Sequence, residues 1–486
     1  MKILFEILEP LSKTFNAVEI LYKDSRTSLV QFNRTGIIQT SDTLEYGTAI
    51  RVWNEKGDER FHHFSGCRKN IPELIEQLQQ GWKKSDGDDR EDLSMLPANT
   101  VSCNRSGIYC RRTASLSHEE REAFINKLID LFEERKKSMQ LDHCQLLTSF
   151  SSITLLNSKG FHGTYERTTA CTALTVRLNP EESPVFDNKA VVGNKSVIEE
   201  KINGLSNVSF DYASCSFYDL NIDTILKEIV SFPCDGRVIS NKQASSVSTG
   251  CDEVMFFPQA GAELLKLIIP YLIGSSKNYR RDSVGSVNKR CLNKGSAILF
   301  NNDSLSDKLS IVDDPAMPRG LSSVPFDGVG FPVEKTAVID EGNIVNCLKS
   351  MVRASYMDRP TLGPTNLYIK PGKSKPEEML KGIGKGLYLF SITPFSSLET
   401  EGEVLFSGSG FLVEDGRIVS PYRNFFLRGK LMNLFKNILE VGTDLRFSFR
   451  GGSIGSPSLL IKGLDCCEAQ QMHDADDWRE KGGRMV

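Results

Sequence analysis

The chain reads as an α+β protein. A mixed α/β N-terminal region spans residues 1–240, and a C-terminal, mostly antiparallel β region with few helices spans 241–465. Three observations predict this. Runs rich in Val, Ile, Thr and aromatic residues, bounded by Gly, Asn, Asp and Ser, recur along the whole chain and read as strands. Helical periodicity is concentrated before residue 240. Beyond it, Asp340-Glu341-Gly342 and Glu414-Asp415-Gly416 sit between successive runs as hairpin turns.

The first element is an amphipathic helix, because Ile3, Leu4, Ile7, Leu8 and Leu11 recur at helical spacing. Pro10 should bend or shorten it. The same segment starts like a secretory signal, but Glu6 and Glu9 interrupt its apolar stretch and no small-residue cleavage site follows. Between 16 and 66, "AVEILYK", "SLVQFN", "GTAIRVW" and "RFHHF" are expected as short strands, with a hairpin-like turn at 54–59. Asn70 and Pro72 then open a helix, "PELIEQLQQGW". Residues 83–105 are polar and irregular, a candidate linker dividing this region into two pieces.

The clearest helix spans 118–138. Ser117 and Glu120 form a capping box, and Phe124, Ile125, Leu128, Ile129 and Phe132 make one apolar face. Lys136-Lys137 at its end suit the helix dipole. From 145 to 179 two long strand-like runs flank "SKGFHG" as an antiparallel pair, and helices near 196–203 and 222–232 follow. In the second half, "SAILF", "KLSIVDD", "KTAVIDEGNIVNCL", "TNLYIK", "GLYLFS", "GSGFLVEDGRIVSPY" and "PSLLIKGL" read as strands. Three helices interrupt them: the stretch after Pro258, "PEEMLKGI", and "KLMNLFKNILEV". Residues 466–486 are charged and read as a flexible tail.

Composition excludes several functions. Lys and Arg number 59 against 62 Asp and Glu, interleaved, which argues against the basic face that nucleic acid requires. Tyr279-Arg280-Arg281 reads as a solvated loop. The most apolar run, Leu264–Ile273, contains Lys266 and Pro270 and falls short of the roughly 18–20 residues of a membrane span. No membrane association is expected, and the compartment expected is the cytoplasm. The 12 cysteines are dispersed without a CxxC and read as reduced thiols. None of the six histidines sits at ligand spacing from a second His or paired Cys. His62 and His63 are neighbours on an expected strand and point to opposite faces.

Other constellations read as structure. Asp313-Asp314 and Asp327 offer carboxylates, but adjacent residues on a strand diverge, and a catalytic dyad needs two that converge. "GSGFLVEDG" and "GKG" lead into strands rather than helices, so they lack a phosphate cradle. "GGSIGSPS" lacks the GxSxG spacing of a serine nucleophile elbow.

Four linked stretches carry a resemblance: "VMFFPQAGAELL", "KLSIVDDPAMPRGLSSVPFDGVGFPVEKTAVIDEGNIVNCL", "SGSGFLVEDGRIVSPYRNFFLRGKLMNLFKNI" and "GSIGSPSLLIKGL". In this order and spacing they resemble the TldD/PmbA family, also described as modulators of DNA gyrase. The family implies a two-subunit zinc metallopeptidase acting on unfolded or leader-bearing peptides. One subunit, TldD-like, carries an HExxxH motif, and the other, TldE/PmbA-like, lacks it. Setting the Pro-x-Ala of the motif region on Pro258-Gln259-Ala260 places the first His on Lys266, the Glu on Leu267 and the second His on Tyr271. "GGSIGSP" has no Cys where the zinc subunit offers one. Zinc requires neutral or anionic N, O or S donors and an open water position, which a lysine ammonium, an aliphatic chain and a protonated phenol do not supply.

The resemblance therefore implies a non-catalytic TldE/PmbA-like subunit. This chain would have no catalytic, cofactor or metal residues of its own, and zinc would be held by a TldD-like HExxxH-bearing partner subunit. The ligand would be an extended peptide. A stand-alone homodimeric peptide-binding protein is one alternative. Another is an enzyme with recruited non-zinc chemistry, using Lys266 or Cys251.

Overall fold

A computed structural model describes residues 2–33, 36, 38–66, 70–80, 82, 96–98, 107–135, 139–178, 207–231, 253–274, 305–346, 348–349, 364–397, 403–422, 425–449 and 452–468. The architecture is α+β. Its described strands form two six-stranded sheets, one eight-stranded sheet and a short parallel pair.

The first sheet is antiparallel throughout, in the order 59–65, 38–53, 17–33, 139–157, 162–178, 207–214. Its central strand Ala17–Asn33 is continuous, where the sequence suggested two short strands. The polar run Lys23–Thr27 stays extended because it is paired with Thr43–Gly47 on one side and Ser149–Ile153 on the other. Backbone groups satisfied on both sides outweigh a locally turn-like composition.

Helix Lys2–Thr14 buries Leu4, Ile7, Leu8 and Leu11 and runs four residues past Pro10, so Pro10 does not end it. Ser12 Oγ donates to Leu8 O, and buried Leu11 and Phe15 anchor its last turn. Helix Ile71–Gln79 buries Leu74 and Leu78. Helix His118–Glu133 has the capping box in full: Ser117 Oγ accepts from Glu120 N, and Glu120 Oε2 accepts from Ser117 N. Of the expected linker 83–105, only 96–98 lie among the described residues; there Leu96 is buried beside Ala17, Trp53 and Val329. The helix expected near 196–203 and the run "SAILF" lie outside the described residues.

The six-stranded C-terminal sheet runs 343–344, 336–340, 311–313, 366–369, 453–456, 446–448. The eight-stranded sheet is centred on Glu253–Phe256, which pairs in parallel with Lys385–Ser397 and antiparallel with Leu459–Lys462. These C-terminal sheets are mostly antiparallel. "KLMNLFKNILEV" was expected as one helix, but it divides into helix Leu431–Lys436 and strand Ile438–Val441, which pairs with Leu459–Lys462. Its two branched ends, Ile438 and Val441, bury in the sheet core. The expected tail also begins too early. Cys466–Glu468 continue the sheet against Phe425–Leu427, and 469–486 lie outside the described residues.

A continuous apolar cluster joins the two halves. It runs from Val30, Leu146 and Phe210 of the first sheet through Leu128 and Ile225 to Tyr388, Phe411 and Leu460 of the eight-stranded sheet.

Candidate functional site

The site forms around helix Pro258–Leu272. Strand Glu253–Phe256 delivers the chain to it; Phe257 N donates to Leu389 O at 2.7 Å, and Gly261 N donates to Phe257 O at 2.9 Å. Pro258 suits the first helical turn, where its missing N–H costs nothing. Ala260, Ala262, Leu264, Leu265, Ile268 and Leu272 are buried in the C-terminal core. Leu267 and Ile269 are partly buried and pack against that core. Gly261 lets the helix approach strand Ser453–Ser456, because a Cβ there would strike Ser456 Oγ.

One stripe of this apolar helix is polar. Gln259, Glu263 and Lys266 follow at i, i+4 and i+7, on one side of the helix. Lys266 Nζ pairs with Glu263 Oε1 at 2.6 Å, with side chains 19% and 30% exposed. Gln259 Nε2 donates to Asp211 Oδ1 on the edge strand of the first sheet, and Ser448 Oγ donates to Asp211 Oδ2 at 3.3 Å. Beside them Arg446 pairs with Glu228 and stacks over the Phe257 ring at 5.2 Å. The Tyr212 hydroxyl is buried there with no hydrogen-bond partner among the described residues, and burial pushes its phenol well above the ordinary tyrosine range. The N-terminal end of the helix is thus the polar junction between the first sheet and both C-terminal sheets.

Of the three positions that the resemblance sets against the zinc motif, two have described side chains. At 266 an ammonium already holds a carboxylate, and at 267 there is an aliphatic chain. Neither an ammonium nor an aliphatic chain offers zinc a lone pair, and Leu267 cannot take a proton from water. The Tyr271 side chain and Cys251 lie outside the described residues, as do Tyr279-Arg280-Arg281. Among the described residues no three His, Cys, Asp or Glu side chains cluster as metal ligands.

The three carboxylates of the 311–331 segment do separate work. Asp313 Oδ1 accepts from Thr365 N at 2.7 Å and Thr365 Oγ1 at 2.9 Å. Burial, outweighing those bonds, pushes its pKa up to about 7. Asp314 Oδ1 accepts from Ala316 N in a local turn. Asp327 Oδ1 accepts from Val329 N and Phe331 N, and burial pushes its pKa up to about 6. Each carboxylate is held by its own donors, and among the described residues no hydrogen bond joins two of them.

The sequence reading missed Asp211, Glu228, Arg446 and Ser448. The one local signal was the polarity of Gln259 and Glu263 on an apolar helix.

Residues 249–467 match the model of the PmbA/TldA metallopeptidase C-terminal domain. This C-terminal domain belongs to the PmbA/TldD family. The metalloprotease PmbA of Escherichia coli O157:H7 is 26% identical over 244 residues, covering 49% of this chain and 51% of that protein. A metalloprotease TldD homolog of Buchnera aphidicola (from Schizaphis graminum) is 28% identical over 185 residues, covering 33% and 38%. The chain thus spans about half the length, or less, of these curated relatives. Two crystal structures share the fold over 96% of this chain. One is a candidate modulator of a DNA gyrase from Thermotoga maritima, with TM-score 0.73, 17% identity and 99% of that chain covered. The other is TldE from Thermococcus kodakarensis, with TM-score 0.71, 16% identity and 100% covered.

Proposed function

We propose that this chain is a TldE/PmbA-type subunit without zinc of its own. It would work with an HExxxH-bearing, TldD-like partner in a cytoplasmic metallopeptidase acting on extended peptides. The observation that carries the reading is the Lys266 ammonium, held by the Glu263 carboxylate, with the aliphatic Leu267 beside it, at the two described positions that the resemblance sets against a zinc ligand and the base. The chain's role would be to wall the cavity and hold the peptide backbone, as a sheet-rich domain can by strand addition. The names of its relatives support the peptidase class. In keeping with a soluble subunit, no described helix is long and apolar enough to cross a membrane.

The test is elemental analysis of the purified chain, with peptidase assays alone and after mixing with an HExxxH-bearing relative from the same genome. The reading expects no stoichiometric zinc and no activity alone, and activity in the mixture. Stoichiometric zinc with turnover by this chain alone would falsify it.

A further inference from the structure

Helix His118–Glu133 lies across the first sheet and points a cation into the packing between them. Arg121 is only 5% exposed, and its Nε donates to Thr148 Oγ1 at 3.0 Å. A guanidinium has further N–H donors on its two Nη atoms. Among the described residues these make no hydrogen bond and no ion pair, and they are not sealed inside the protein, so they face accessible space. Buried charges are paired as a rule.

A second guanidinium shares this face. Ser28 stands opposite Asp42 on one side and Thr148 on the other, and Arg26 is two residues back along the same strand, flanked by Leu44 and Phe150. Arg26 is exposed and makes no ion pair among the described residues. Three features weigh on Arg121: burial, repulsion from Arg26, and the partial positive charge of the helix end whose first turn it closes. The carboxylates felt at Arg121 are Asp42 and Glu120, and both are engaged elsewhere. Ser28 Oγ donates to Asp42 Oδ1. Glu120 Oε2 accepts from Ser117 N at 2.9 Å, and Oε1 accepts from the Tyr218 hydroxyl at 3.4 Å. His118 pairs with Glu122 at 3.2 Å. Asp24, next along the face from Arg26, is exposed and makes no ion pair with it.

We infer that Arg121 and Arg26 form a binding site for one carboxylate whose carrier is apolar. The planar fork of Arg121 matches a carboxylate edge, and binding would relieve all three burdens on that cation. A single negative charge fits better than the double charge of a phosphate, because Asp42 and Glu120 are close enough to oppose a second one. Apolar surface lies on both sides of Arg26. Leu44 is 66% exposed, and Tyr109, 39% exposed, meets the Phe150 ring edge-on at 6.1 Å. The C-terminal residue of a peptide and a small apolar carboxylic acid both carry this chemistry. The inference does not rest on the peptidase reading.

The test uses the full chain and a hexapeptide ending in Phe, labelled at its N-terminus with a neutral dye and read by anisotropy. Its C-terminal amide is the control, with 3-phenylpropanoate and inorganic phosphate as competitors. The free acid should bind, and the amide at least about tenfold more weakly. Arg121→Met keeps the bulk without the charge. It should weaken binding by at least about tenfold and leave Tm no lower, because an unpaired buried charge adds no stability. Arg26→Gln, at an exposed position, should weaken binding and flatten its salt dependence with unchanged circular dichroism. Phenylpropanoate competing as tightly as the peptide binds would support a small acid as the carrier, and weaker competition a polypeptide C-terminus. The inference would be overturned if neither probe acid bound, if acid and amide bound equally, or if phosphate displaced the peptide at lower concentration than phenylpropanoate. Unchanged binding by Arg121→Met would also overturn it. If Arg121→Met proves unfolded, Arg26→Gln decides in its place, and unchanged binding by that variant overturns the inference.

Discussion

Replacing Asp313 by Asn should change how stability depends on pH. Asp313 is 1% exposed, and its folded pKa is about 7 against an ordinary 3.8. Between about pH 4 and pH 7 the unfolded chain releases this proton while the folded chain keeps it. The folded state therefore binds more protons, and stability falls as pH rises through this window, at up to about 1.4 kcal/mol per unit. The difference, 7 − 3.8, is about three units, so the penalty approaches roughly 4 kcal/mol above pH 7 and vanishes below pH 4. Asn keeps an acceptor oxygen for Thr365 N and Oγ1 but cannot ionise. Urea unfolding of wild type and Asp313→Asn, followed by tryptophan fluorescence from pH 4.5 to 8.5, gives the comparison. The variant should gain on wild type by several kcal/mol from the acid end to the alkaline end. Two curves that stay parallel across the window would show that this carboxyl ionises normally in the fold, and the burial argument would fail.

Four further outcomes follow from the same structure. Gly261→Ala drives a Cβ into Ser456 Oγ and should destabilise by about 1–3 kcal/mol, with partial rescue by Ser456→Gly in a double-mutant cycle. Leu264→Ala empties a fully buried position beneath the same helix and should cost about 2–5 kcal/mol by denaturant titration. Ser117→Ala removes the cap of helix His118–Glu133 and should cost about 1 kcal/mol, with faster amide exchange confined to its first turn. Lys266→His supplies one donor beside an aliphatic neighbour and should leave the purified chain without stoichiometric zinc by atomic absorption; bound zinc would mean that unrecognised donors lie nearby.

Local chemistry made much of the fold legible. The Ser117–Glu120 capping box and the 3.6-residue apolar period predicted helix His118–Glu133, because both act within one or two turns. The hairpin around "SKGFHG" followed from two strand-like runs flanking a turn. Errors arose where distant partners overrode local preference. Lys23–Thr27 is extended because strands on both sides hold it, Pro10 is carried through by a buried last turn, and Ile438–Val441 leaves the helix to pair with Leu459–Lys462.

The candidate site divides in the same way. The sequence by itself determined the identity of the groups along the Pro258–Leu272 helix: a cation at 266 and an aliphatic at 267 are covalent facts, and zinc affinity follows from donor chemistry. Only the tertiary structure decided what surrounds that helix. Asp211 meets Gln259 across 48 residues and Ser448 across 237, and Arg446 meets Glu228 across 218. Periodicity and capping act within a turn or a hairpin and so leave their pattern in neighbouring residues. Contacts of such separation arise only when whole sheets pack, and a short polar side chain looks the same in sequence whether it faces water or a partner from the other half of the chain.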